Sequence, residues 1–211
     1  MEILSTWWYL VAIVAVAIRL GSLKNVRYYL KQIYRLALSH AKQENLVWED
    51  LKTFYENLGW YHGVYENERF IETNVGISEE KALSFCNSLQ GGNLCFNATI
   101  LTDYPEELTT EAFILATHFN NLMSHGVVTI DVENRVVRYV LAKEIILPCL
   151  YTGEISWMHQ LHCRTAEDIH WAFQKLVEEN EHPALIFADL LTKLENEKNQ
   201  QSQTATGGMS Q

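Results

Sequence analysis

The chain has 211 residues, 48% of them hydrophobic and 20% charged, and a formal net charge of -10 at pH 7. The charge is divided: residues 1–42 hold six Lys or Arg against Glu2, a net +5, which leaves -15 for the remainder. A body that acidic repels nucleic-acid backbones, which excludes nucleic acid as its partner. The length, less a terminal anchor and tail, fits one domain of ordinary size.

Residues 3–18, ILSTWWYLVAIVAVAI, carry no formal charge. As a helix this run spans about 24 Å, and residues 20–23 with a snorkelling Arg19 extend it toward the roughly 30 Å of a bilayer's hydrocarbon core. Trp7, Trp8 and Tyr9 suit an interfacial aromatic belt. Ala15-Val16-Ala17 resembles a signal-peptidase site, yet the segment before the run holds Glu2 and no cation, and the cations all follow it. The expectation is a transmembrane anchor over 1–21, its N-terminus outside and everything after Arg19 cytoplasmic.

Residues 22–43 form a basic connector. Leu23, Val26, Leu30, Ile33 and Ala37 make one helical apolar stripe, and Lys24, Arg27, Lys31 and Arg35 make a second, cationic one. Those four cations are candidates for lipid-headgroup contacts. The same stripes also fit a short coiled coil pairing two anchors, or a linker helix packed on its own domain.

Residues 44–195 read as one α+β domain. Trp48, Leu51, Phe54, Tyr55 and Leu58 predict a helix over 46–58 that stops at Gly59. Short strands are predicted at 64–65 and 69–73. Residues 81–101 give a hairpin: Leu83, Phe85 and Leu89 alternate with polar neighbours, interrupted by Asn87. Gln90-Gly91-Gly92-Asn93 turns the chain, and Leu94, Phe96, Ala98 and Ile100 alternate on the return. A helix follows, capped by Thr109 or Thr110, with Phe113, Leu115, Ala116, Phe119 and Leu122 inward and Gly126 as its stop. Residues 127–132 and 135–146 predict a strand pair around Glu133-Asn134, and 150–157 a further short strand. Helices are predicted from Thr165 to Glu179 and from Pro183 to Leu194. Residues 196–211, NEKNQQSQTATGGMSQ, carry almost no apolar side chain and are expected to be disordered.

The stretch 92–191 resembles the bacterial YbjN-like family, whose fold is akin to type III secretion chaperones. The resemblance rests on the strand NLCFNATIL, a helix ending in His118-Phe119-Asn120-Asn121 before Gly126, the pair VVTIDV-EN-RVVRYVLAKE, and the C-terminal helix pair. It implies an antiparallel sheet packed against two or three helices, a non-enzymatic role in binding other polypeptides, and a tendency to dimerise. No catalytic residue carries over from it.

His159, His162 and Cys163, with Asp168 and His170 close by, are the sharpest chemical cluster; His and Cys are competent zinc ligands. Read as part of a strand or loop, they point in unrelated directions, and ordinary surface histidines are the expectation. A Cys163–His162 dyad is disfavoured because sequence neighbours in a strand face opposite ways. Cys86 and Cys95 could face each other across the hairpin. His118 and His125 sit where a helix C-terminus favours a cation, and Asn120 or Asn121 is expected to bond the backbone of a neighbouring strand. Glu178, Glu179, Glu181 and Asp189 with His182 read as a solvated helix end.

Together these features predict a single-pass membrane protein whose cytoplasmic domain binds an unidentified protein partner through an exposed sheet or helix face. No catalytic residue, metal or cofactor is expected. The alternatives are a membrane-tethered metal-dependent enzyme using His159, His162 and Cys163, and a purely structural membrane scaffold.

Overall fold

The computed structural model describes residues 30, 34, 38–76, 82–144 and 152–207. The predicted anchor with Trp7, Trp8, Tyr9 and Arg19, the connector cations Lys24, Arg27, Lys31 and Arg35, and Cys149 lie outside the described residues. Among the described residues no helix is long and apolar enough to cross a membrane.

Two-residue alternation builds the sheet. Strands β1 (His62–Tyr65), β2 (Phe70–Gly76), β3 (Ala82–Gln90), β4 (Asn93–Leu101), β5 (Val127–Asp131) and β6 (Val136–Glu144) form one antiparallel sheet in the order β1-β2-β3-β4-β6-β5. β3 and β4 meet through Gly91 and Gly92, at φ 56° and 78°, the left-handed pair that a two-residue turn requires. The inner face is apolar: Leu83, Phe85 and Leu89 on β3, Leu94, Phe96, Ala98 and Ile100 on β4, and Val137, Tyr139 and Leu141 on β6 are all buried. On the outer face β3 and β4 present the small, mostly polar Ser84, Cys86, Ser88, Cys95, Asn97 and Thr99, flanked by Tyr65 and Phe70 on one side and Val140 and Val127 on the other. Cys86 lies opposite Asn97 and Cys95 opposite Ser88, which sets the two thiols diagonally; both are free.

Among the described residues the α+β fold is completed by the helices α1 (His40–Leu58), α2 (Thr109–Leu122), α3 (Thr152–Glu178) and α4 (Pro183–Gly207). α1 buries Val47, Trp48, Leu51, Phe54 and Tyr55 and ends at Gly59, as its apolar spacing predicts. α3 lies across β4 and β6 and supports α1, while α2 packs on β5, and α4 closes over α2 and α3.

Three predicted elements are corrected. Residues 152–157 are the first turns of α3, not a strand. Ile155, Met158, His159, His162, Ala166, Ile169 and Phe173 are all buried at helical spacing, and two histidines within that stripe hid it. The chain from 196 to 207 continues α4 instead of being disordered; Arg164 meets Glu197 at 3.0 Å. Gly126 does not stop α2, which ends at Leu122 with Met123 extended. At φ 79° Gly126 leads into β5, and a Cβ there would sit 2.5 Å from the Tyr139 ring, so both the backbone angle and the packed ring require glycine.

Candidate functional site

His159, His162 and Cys163 are carried by the middle of α3, one helical turn apart and turned toward the sheet. They are not surface-loop residues: both histidines are buried. Each imidazole sits in aromatic surroundings. His159 meets the edges of Phe54 and Tyr55 and tilts against Trp60, whereas His162 stacks on Tyr139 at 5.0 Å and meets Phe85. Burial pulls both down to a pKa of about 4, so they are neutral at neutral pH.

The hydrogen bonds of this cluster have a direction. The Asn87 amide donates to the Tyr55 hydroxyl oxygen. Tyr55 is then free to donate its own proton to Nδ1 of His159, 3.2 Å away. That leaves the His159 proton on Nε2, 3.5 Å from Sγ of Cys163. His159 therefore presents a donor to the sulfur, the opposite of what a general base needs. Burial also pushes the Cys163 thiol up to about 12, which keeps it protonated. His162 directs Nε2 at the Tyr139 carbonyl, 3.3 Å away, and does not converge with the other two. Among the described residues no three metal-ligating side chains gather at one point. The cluster is a polar seam between α1, α3 and the sheet, and its hydrogen bonds run opposite to those of a base-activated thiol.

The remaining sequence candidates have structural employment. Asn120 bonds β5 in both directions, its amide to the Val128 carbonyl at 3.0 Å and its oxygen from the Val128 N–H at 2.7 Å, as expected for a polar residue on an apolar helix. His118 stacks on Phe187 of α4, and His125, exposed beyond α2, meets Trp157 edge-on. At the α3–α4 break the acids are gathered by one cation: Lys175 reaches Glu181 at 3.2 Å and Asp189 at 2.9 Å. Asp168 pairs with Lys193 at 2.8 Å.

The surface that sequence reasoning misplaced is the outward side of α2. Ala112, Leu115, Ala116 and Phe119 face the core, whereas Phe113 is 46%, Ile114 41% and Leu122 49% exposed. Phe113 and Leu122 were expected inward. The contiguous run Ala112-Phe113-Ile114-Leu115-Ala116 blurs helical periodicity, yet five successive residues cannot all face one side, and that is the signal that could have found this surface. Thr110, Phe113, Ile114, Thr117, His118 and Asn121 line a shallow depression of about 340 Å³ along it. Thr117 donates its hydroxyl to the Phe113 carbonyl at 2.8 Å. Glu106 and Glu107, exposed in the 3₁₀ turn Glu106–Leu108, border the stripe with negative charge.

No protein-family model matches the chain, and neither does any curated protein. Among solved structures it is similar to YbjN of E. coli, a proposed transcription regulator. The TM-score is 0.44 at 10% identity, and the match covers 58% of this chain and 86% of that one. This is a weak fold match to the same family that residues 92–191 resemble in sequence.

Proposed function

We propose that this chain is a non-enzymatic protein-binding module, held at a membrane by residues 1–21 with its acidic domain on the cytoplasmic side. The observation that carries the reading is the outward stripe of α2, where Phe113 and Ile114 stand in water on a regular, well-packed helix. An exposed apolar patch edged by charge is what a polypeptide-docking surface requires: the apolar centre supplies affinity, and the rim selects the partner. Glu106 and Glu107 beside the stripe, on a body carrying -15, favour a partner with basic residues flanking its apolar anchors. The charge step at Arg19, with cations on one side only, supports the anchor and its orientation. In this reading the cations at 24, 27, 31 and 35 lie against anionic headgroups, each contributing about 1 kcal/mol.

The test is a pair of substitutions, Phe113→Ser with Ile114→Ser, made on the exposed stripe. The variant is expected to keep the wild-type urea midpoint while losing the protein that co-purifies with the wild type from native membranes. Retention of that protein by a fully folded variant contradicts the proposal. A second copy of this chain recovered as the partner identifies the stripe as a homodimer surface.

A further inference from the structure

The β3–β4 ladder ends at the pair Ser84–Thr99. Beyond it the two central strands follow different neighbours. Leu83 and Ala82 remain paired with Val75 and Gly76 of β2, while Leu101 pairs with Val137 of β6 after a bulge between Thr99 and Leu101. The sheet therefore opens in its middle, and a crevice of about 480 Å³ fills the opening, walled by β3, β4 and the C-terminal half of α3.

Among the described strands, the opening leaves the backbone groups of one residue without a neighbour. The Leu89 N–H donates to the Arg69 carbonyl at 2.9 Å, on the β2 side of β3. Bonded and non-bonded pairs alternate along an antiparallel strand, so the odd-numbered residues of β3 turn their backbone groups toward β2 and the even-numbered ones toward β4. Those of Ser84 meet Thr99. Those of Ala82, an N–H and a C=O, point to the side from which β4 has turned away.

His170 of α3 is part of the wall. Its Nδ1 lies 2.8 Å from the Ile100 carbonyl oxygen, and a carbonyl is met only by an N–H, so the proton of the neutral ring is on Nδ1. Nε2 is left as a hydrogen-bond acceptor, and it is buried without a partner. Gln174, one turn further on, donates its amide to Glu178 at 3.3 Å and keeps its own carbonyl oxygen as an acceptor. Among the described residues of the lining, Glu178 alone is formally charged, and its carboxylate is already engaged. The crevice therefore offers acceptors, a backbone donor and the apolar Leu83, Leu101 and Val177, with no free counter-ion for a charged ligand.

We propose that this crevice binds a primary carboxamide carried on a short alkyl chain. The group is neutral. Its NH2 has hydrogens for both His170 Nε2 and the Gln174 carbonyl, and its oxygen accepts from the Ala82 N–H. The alkyl chain lies along the leucines and Val177. An ammonium or a carboxylate loses its water there and gains no opposite charge in return. The chemistry is shared by a free aliphatic amide and by the asparagine or glutamine side chain of a polypeptide. The site is separate from the α2 stripe and does not depend on it.

The experiment is calorimetric titration of the full-length protein, at mildly alkaline pH, with pentanamide and Nα-acetyl-glutamine N-methylamide. The controls are N,N-dimethylpentanamide, which keeps the carbonyl and has no N–H, and the charged pentanoate and n-pentylammonium. Saturable binding of the two primary amides is expected, with the three controls weaker by about tenfold or more. His170→Phe keeps a ring in the wall and deletes the acceptor, and its affinity for pentanamide falls about tenfold. Gln174→Met leaves the His170–Ile100 bond in place and lowers affinity in the same direction at an unchanged melting temperature, so a folding defect in the first variant does not decide the test. Tighter binding of pentanamide identifies a free amide as the ligand, and tighter binding of the glutamine derivative identifies a polypeptide side chain. No saturable binding of either primary amide, equal binding of any control, or wild-type affinity in both variants overturns the assignment.

Discussion

Asn120 and the buried histidines show what single polar side chains do in this protein. Asn120 exchanges two hydrogen bonds with Val128 and so fixes the distance between α2 and β5. Asn120→Ala leaves the N–H and carbonyl of buried Val128 without that partner and is expected to cost about 1–3 kcal/mol in urea unfolding, while Asn121→Ala leaves the midpoint in place. His159 and His162 have pKa values drawn from 6.5 down to about 4 by burial. The unfolded chain therefore takes up protons that the folded one refuses, and stability falls as pH drops from about 6.5 toward about 4. The loss is on the order of 3 kcal/mol for each imidazole. Thermal unfolding across that window measures it. His162→Leu is expected to remove ~half of the pH dependence, whatever its effect on stability at neutral pH. That these histidines are buried was not legible in the sequence. Imidazole is polar in any periodicity count, and only the neighbours at 155, 158, 166 and 169 reveal the stripe to which they belong.

At the scale of elements, the hairpin of β3 and β4 was legible because period-two alternation on both sides of Gly91-Gly92 admits one register. α1 was legible because its apolar residues repeat at helical spacing up to Gly59. The failures have specific causes. α3 was cut short at Thr165 by reading the histidines as loop residues. α4 was cut at Leu194 because polar composition was taken for disorder, although Glu, Lys and Gln are good helix formers and an exposed helix needs no apolar face of its own. α2 was found in the right place and turned wrongly, and its outward stripe is where the candidate site lies. Arg164–Glu197 ties the continuation of α4 to α3, and it is an exposed pair of the kind worth about 0–1 kcal/mol. Truncation after Asn196 is therefore expected to lower far-UV helicity while moving the thermal midpoint little. A large fall in that midpoint would show that the last turns are part of the core.

In the whole molecule a charge pattern is joined to a surface. In the proposed function the apolar residues 3–18 lie in a bilayer, and the acidic body that follows the basic stretch stays in water. The protein is expected to remain with membranes through carbonate extraction. Its acidic domain is expected to resist protease added outside intact cells and to be digested in inverted vesicles. Release by carbonate would remove the anchor from the account and leave the docking surface standing. The docking surface is tested most directly by placing a photo-crosslinking amino acid at Phe113 and, as control, at Ser88 on the outer face of the sheet, in the full-length protein in its native membrane. The account predicts a discrete crosslinked polypeptide from position 113 and none from position 88. Equal yields from both positions, or no product from 113, would contradict it.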